Sequence, residues 1–146
     1  MKPSQKADYA LRAAVDLAVH ESPEEFCHTA AIARRTGTPS KFLEAILGQL
    51  RQAGLVESRR GAGGGHRLAR PAGLISAGEV WRAVDGPVSL ASRSSRRPRG
   101  RDGAGQAIRG LWEEVEEVVQ RTVEGVSLED LARRARETSS AVDYSI

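Results

Sequence analysis

The 146-residue chain carries a formal net charge of +3, with 40% hydrophobic but only 4% aromatic residues. That is enough apolar content for one compact core built mostly from aliphatic side chains, and it excludes a wholly disordered chain. A single cysteine, Cys27, excludes an intrachain disulfide, and no apolar run approaches the roughly 20 residues that span a bilayer. With no secretory leader at the start of the sequence, the expected compartment is the cytoplasm.

Tyr9, Ala10, Ala13, Ala14, Leu17 and Ala18 recur at three- and four-residue spacing and predict a helix over residues 4–20. Pro23 stops it. A short helix is expected over 29–35, with Thr29 as N-cap, Ile32 and Ala33 turned inward and Gly37 closing it. Thr38 and Pro39, as cap and first helical residue, open a third helix whose stripe is Phe42, Leu43, Ile46, Leu47 and Leu50. Two short helices joined by about three residues must cross steeply, in a helix-turn-helix arrangement.

A hairpin follows, with strands at 55–58 and 67–69. Between them runs RRGAGGGH, residues 59–66, whose four glycines in five positions let the backbone turn and approach another surface. It lacks the Lys-Ser/Thr of a nucleotide-binding P-loop and does not lead from a strand into a helix. Helix, helix and basic hairpin is the order of a winged helix. Ser76 and Glu79 form a capping-box pattern for a helix reaching about Val84.

Residues 88–105 hold Arg93, Arg96, Arg97, Arg99 and Arg101 among Ser, Gly and Pro and read as a mobile loop. A long helix is expected over 106–123. Its stripe of Ile108, Leu111, Trp112, Val115, Val118 and Val119 exceeds what a small domain hides easily, so the same helix of a second chain is its expected partner. A last short helix is expected from Leu128 to about Arg136, with a disordered tail over 137–146.

In a winged helix the second helix enters the major groove, which makes Ser40, Lys41, Glu44 and Ala45 candidate base readers. Arg59, Arg60, Gly63, Gly64, His66 and Arg67 are the candidate wing contacts, and Lys2 and Lys6 candidate backbone contacts. His20, His28 and His66 lack ligand spacing with Cys27, no nucleophile elbow is present, and neither a metal site nor catalytic residues are expected. Cys27 beside His28 is either a thiol of lowered pKa, open to oxidation as a signal, or an inert half-buried one.

The stretches KADYALRAAVDLA (6–18), IARRTGTPSKFLEAILGQLRQAGLVESRRGAGGGHRLARP (32–71), GEVWRAVDGP (78–87), LWEEVEEVV (111–119) and VSLEDLARR (126–134) resemble the Rrf2 family of bacterial winged-helix regulators. That family includes repressors of iron–sulfur assembly, nitric-oxide response and cysteine metabolism. The resemblance implies a mainly α fold with a small β-hairpin: a winged helix-turn-helix (1–87), the arginine-rich loop (88–105), then a dimerisation helix and terminal helix (106–136). It implies promoter binding, with Ser40, Lys41, Glu44 and Ala45 on the recognition face and Arg60 on the wing. Sensor members of the family carry three loop cysteines that hold an iron–sulfur cluster. Here Ser92 and Gln106 stand roughly where the first and last would be, and Arg109 where some members have histidine. Asp8 matches an acidic residue that serves some relatives as an extra ligand. Serine and glutamine supply no thiolates, so no cluster is expected.

The reading is therefore a non-enzymatic, homodimeric, sequence-specific DNA-binding regulator, a repressor acting at a palindromic operator, with an unidentified small-molecule effector. The alternatives are a redox- or metal-responsive sensor with a cofactor and a winged-helix protein–protein adaptor.

Overall fold

The computed structural model describes residues 3–90 and 102–144; Lys2, Ser92 and the arginines between 93 and 101 lie outside the described residues. The elements run α1 (Gln5–Val19), α2 (Thr29–Thr36), α3 (Ser40–Gln52), β1 (Val56–Arg59), β2 (Gly65–Leu68), α4 (Ala77–Asp85), α5 (Gly103–Glu124) and α6 (Leu128–Tyr144), with a 3-10 turn at Ala72–Leu74. The fold is a mainly helical winged helix-turn-helix.

Helix α1 is the axle of the core. Its inward stripe is mostly alanine (Ala7, Ala10, Ala13, Ala14 and Ala18, with Leu17), all buried. Such small side chains let neighbours approach closely, and α2, α3, α4 and α6 all pack against this one helix. Ser4 caps it by accepting from the Ala7 N–H, while its hydroxyl donates to Asp85 at the end of α4 over 2.6 Å. At the other end Arg136 of α6 donates to the Ala18 and Val19 carbonyls, two of the acceptors a helix terminus leaves free.

Helices α2 and α3 meet through Gly37, whose φ of 68° is the left-handed turn that favours glycine. Both expected N-caps are displaced. Thr29 is the first residue of α2, with His28 in the cap position, and Thr29 turns its hydroxyl to His66. Thr38 is buried with its oxygen 2.9 Å from that of Thr36, and Pro39, in extended backbone, holds the cap position of α3. Leu43, Ile46, Leu47 and Leu50 are buried as expected. Phe42 is not. It is 60% exposed, because it lies one residue, and so about 100°, round the helix from Leu43.

Strands β1 and β2 pair antiparallel, with Val56 opposite Leu68, Glu57 opposite Arg67, Ser58 opposite His66 and Arg59 opposite Gly65. Leu55, Val56 and Leu68 root this hairpin in the core. The capping box at Ser76 and Glu79 forms as expected: Ser76 accepts from the Glu79 N–H, and the Glu79 carboxylate accepts from the Ser76 N–H. Glu79 is held below its ordinary pKa despite burial, which alone would raise it, because Arg70 and the Ser76 N–H both bond the carboxylate.

The C-terminal helices depart from expectation in three ways. Helix α5 starts at Gly103, inside the stretch read as loop, because the Asp102 carboxylate caps it through the Gly105 N–H. Helix α6 runs to Tyr144, through most of the expected tail. Its sequence holds no Gly or Pro to stop it, and Thr138 and Ser139 bond back to the carbonyls four residues earlier. Finally, Leu128 and Ala132 of α6 belong to the same core as α1, so the boundary expected at residue 87 does not bound the core. The backbones at 75–77 and 126–128 are laced together by Ala77 N–H to Val126 O and Leu128 N–H to Ile75 O.

Candidate nucleic-acid interface

Helix α3 divides cleanly. Its buried stripe anchors one side, and Ser40, Lys41, Glu44 and Ala45 lie exposed on the other, in the first two turns. Lys41 and Glu44 form no ion pair among the described residues, so both side chains are free to meet base edges or phosphates. Exposed Phe42 flanks this face, its ring centroid 6.4 Å from that of Tyr9 on α1. Sequence periodicity places Phe42 in the core; the signal that marks it as an outlier is its place beyond the edge of the stripe, about 40° past Ile46 and about 100° from Leu43. An apolar group on such a face suits contact with a thymine methyl.

The helix pair is braced from behind. Arg35 of α2 grips Asp16 of α1 with two nitrogens, at 2.9 and 2.8 Å. These hydrogen bonds raise the Arg35 pKa against the opposing effect of burial, and its guanidinium also faces the Cys27 thiol. The orientation of α2, and through the tight turn that of α3, is thereby fixed to the axle helix.

On the wing the candidate residues divide into two groups. Arg60 is exposed at the turn with no partner among the described residues, and Gly63 is exposed beside it. Arg59 is exposed but lies over the Phe26 ring, 4.7 Å from its centroid. Arg67 is held by the protein: it pairs with Glu57, donates to the Pro23 carbonyl at 2.8 Å and also lies over the Phe26 ring, 4.4 Å from its centroid. His66 is half-buried, its Nε2 2.9 Å from Thr29 Oγ1 and its Nδ1 2.7 Å from Ser58 Oγ. Gly64 is buried, and a Cβ there would fall 2.2 Å from the Arg59 carbonyl oxygen, so the hairpin turn closes only around glycine. Of the expected wing contacts, Gly64 is buried and His66 and Arg67 are half-buried and held by contacts within the protein, whereas Arg60, Arg59 and Gly63 are its exposed surface. Some of their partners, Glu57, Ser58 and Arg59, lie in the same hairpin, but Pro23, Phe26 and Thr29 lie far away in sequence, and no local pattern encodes that pairing.

Lys6 is exposed in the first turn of α1, and Asp8 makes an ion pair with Arg12 at 2.7 Å. An open cleft of about 450 Å³ lies behind the wing, lined by Glu21, Pro23, Glu57, Arg67 and Arg70. On α5, Ile108 (52% exposed), Leu111 (47%), Trp112 (44%) and Val118 (58%) stand open, with Val115 and Val119 half-buried, and no residue of the helix is fully buried.

A tight helix pair with one face open, followed by a basic two-stranded wing, defines a winged helix-turn-helix DNA-binding protein. The family model described as "Iron-dependent Transcriptional regulator", Rrf2, matches residues 3–134, and the chain belongs to this family. It is similar to the HTH-type transcriptional regulator IscR of Xenorhabdus nematophila, 36% identical over 133 residues that cover 91% of this chain and 80% of the relative. IscR of Cereibacter sphaeroides is 39% identical over 116 residues, covering 77% of this chain and 75% of the relative. Among solved structures, CymR, the global cysteine regulator of B. subtilis, matches with a TM-score of 0.77 and 31% identity, covering 92% of this chain and 98% of that one. IscR of T. potens matches with a TM-score of 0.75 and 30% identity, covering 94% of this chain and 90% of that one. The chain is thus a DNA-binding transcriptional regulator and not an enzyme. Among the described residues no helix is long and apolar enough to cross a membrane.

The iron named in the family description needs ligands, and the residues here do not fit an iron–sulfur cluster. The one cysteine, Cys27, lies between α1 and α2 with its backbone bonded to His66, remote in sequence from the segment before α5. No group of three His, Cys, Asp or Glu among the described residues could hold a metal ion. A cluster built on thiolates lacks its donor set in this chain.

Proposed function

We propose that two copies of the chain pair through α5 and repress a promoter by occupying a palindromic operator in the cytoplasm, without an iron–sulfur cluster. The observation that carries this reading is the open apolar face of α5. Burial of apolar surface is worth about 25 cal/mol per Å², and Ile108, Leu111, Trp112 and Val118 leave a continuous row of it uncovered. A second α5 covers that row with the same residues, and an interface that pairs identical patches is two-fold symmetric. Two-fold symmetry sets two copies of α3 on half-sites about one helical turn apart. Ser40, Lys41, Glu44, Ala45 and flanking Phe42 then read bases, Arg59, Arg60 and Gly63 reach the adjoining groove, and Lys6 meets the backbone.

The test is equilibrium binding to a duplex recovered by selection from a random-sequence pool, measured across a salt series. The expected result is affinity that falls steeply and linearly on logarithmic axes, at two chains per duplex, by a protein with no visible charge-transfer absorption when purified without air. Affinity independent of salt favours an adaptor instead. A coloured protein whose DNA affinity changes on loss of colour contradicts the cluster-free reading.

A further inference from the structure

We propose that His66 is a positioning residue for DNA recognition, a latch that fixes the angle of the wing against the helix-turn-helix and so sets where Arg60 reaches. This rests on the reading of the wing as a DNA contact.

A two-stranded hairpin is marginally stable by itself and takes its orientation from whatever it packs on. Here the apolar support ends at the base of the wing, where Val56 faces Leu68. Beyond that pair the next positions are Glu57 with Arg67, Ser58 with His66 and Arg59 with Gly65. No apolar side chain of these six joins the core. The outer half of the wing is held by Arg59 and Arg67 over the Phe26 ring, by Arg67 on Glu57 and the Pro23 carbonyl, and by the contacts of residue 66, which alone join it by both backbone and side chain to the segment leading into α2.

The His66 backbone exchanges two hydrogen bonds with Cys27, Cys27 N–H to His66 O and His66 N–H to Cys27 O, each 2.8 Å. The linker ahead of α2 thereby acts as a third, one-residue strand beside β2. The neighbouring Gly65 makes the approach possible: its φ is +141°, and a Cβ there would fall 2.3 Å from the Cys27 carbonyl oxygen. The imidazole then spans three segments at once, with Thr29 in the first turn of α2 on one nitrogen and Ser58 of β1 on the other. A neutral ring suits these two hydroxyls, donating from one nitrogen and accepting at the other. Burial, helped by the Arg51 charge at the end of α3, keeps the ring below its ordinary pKa and so neutral. The opposite strand continues directly from Ser58 through Arg59 to Arg60, so a shift at this joint moves the arginine that the wing presents.

The test has two arms. In the free protein, amide hydrogen exchange is followed in wild type and in His66→Phe, which keeps a ring but bonds neither hydroxyl. Exchange over residues 57–67 is expected to speed up at least about tenfold while α1 and α3 stay protected. In the second arm, affinity for the selected duplex is measured for Arg60→Ala, His66→Phe and the double variant. If the latch acts through Arg60, the double variant binds within about twofold of Arg60→Ala alone. Should His66→Phe fail to fold, Thr29→Val removes one hydroxyl partner and leaves the histidine, and the same exchange and coupling are expected at smaller size. Unchanged exchange in the wing, or losses that multiply in the double variant, overturns the proposal. An Arg60→Ala variant that binds as wild type does removes the DNA role of the wing, and the exchange arm alone then decides whether His66 latches it.

Discussion

Helices α3 and α5 carry equally regular apolar stripes, yet the structure treats them in opposite ways. Leu43, Ile46, Leu47 and Leu50 of α3 are all at most 1% exposed, whereas Ile108, Leu111, Trp112 and Val118 of α5 are 44 to 58% exposed. Among the described residues both helices pack on the body of the protein, α3 on α1, α2, α4 and β1, and α5 chiefly on the short α4. An apolar period thus states that a face must be covered without stating by what. In α3 the cover is the chain itself, which fixes the helix and leaves exposed the side proposed to read DNA. In α5 the described residues leave the stripe uncovered, and the proposed pairing would cover it.

The sharpest way to break this comparison is to make each stripe polar or hollow and see what fails. Trp112→Glu on α5 is expected to abolish pairing while leaving the monomer folded. Light scattering should report one chain, and affinity for a two-half-site duplex should fall by at least about a hundredfold, because the second half-site contact is no longer intramolecular. A dimer that survives excludes this face as the main interface. Leu47→Ala on α3 is expected to do the reverse, costing about 2–5 kcal/mol of folding stability in a denaturant titration, through lost burial and a cavity, without altering the oligomeric state of the folded fraction.

Smaller effects sharpen the same division between anchoring and reading. Arg60→Ala should leave the denaturation midpoint unchanged and weaken DNA binding by about 1–3 kcal/mol, seen in anisotropy titrations. The smallest is a pH effect at the wing joint. His66 binds a proton less readily folded than unfolded, because burial and Arg51 disfavour the charged ring. Its contribution to stability is therefore complete above the ordinary histidine value of about 6.5 and is lost as pH falls from there toward the lower folded-state value. All other groups are common to the two proteins, so the difference between wild type and His66→Phe in urea midpoint should shrink on acidification. A difference that stays constant from neutral to mildly acidic pH contradicts the neutral, buried ring.

Much of the scaffold was legible before the structure because it is written locally. The capping box joins Ser76 to Glu79 only three residues away, Gly37 sits where its conformation is needed, and the α3 stripe repeats within a few turns. Within the candidate site, which side chains are exposed and which are already held is set by contacts that are distant in sequence. His66 and Arg67 are polar, basic and next to a glycine-rich turn, which from sequence resembles a DNA-facing surface. Their partners are Thr29 and the Pro23 carbonyl, 37 and 44 residues away, and only the packing of the wing on the α1–α2 linker reveals that these side chains are already spent. Phe42 was lost the other way, since an aromatic beside a core leucine reads as core unless its angle is counted. The polarity of residues 137–146 suggests a disordered tail, although no Gly or Pro there stops a helix.

The most direct test of paired recognition is the mass of the protein–DNA complex at saturation, measured by sedimentation on the selected duplex beside the same duplex with one half-site scrambled. Two chains on the intact site, with a large loss of affinity on the half-scrambled one, is the expected result. One chain on each, at equal affinity, would show that α5 meets something other than a second copy and that a single wing and helix read the DNA unaided.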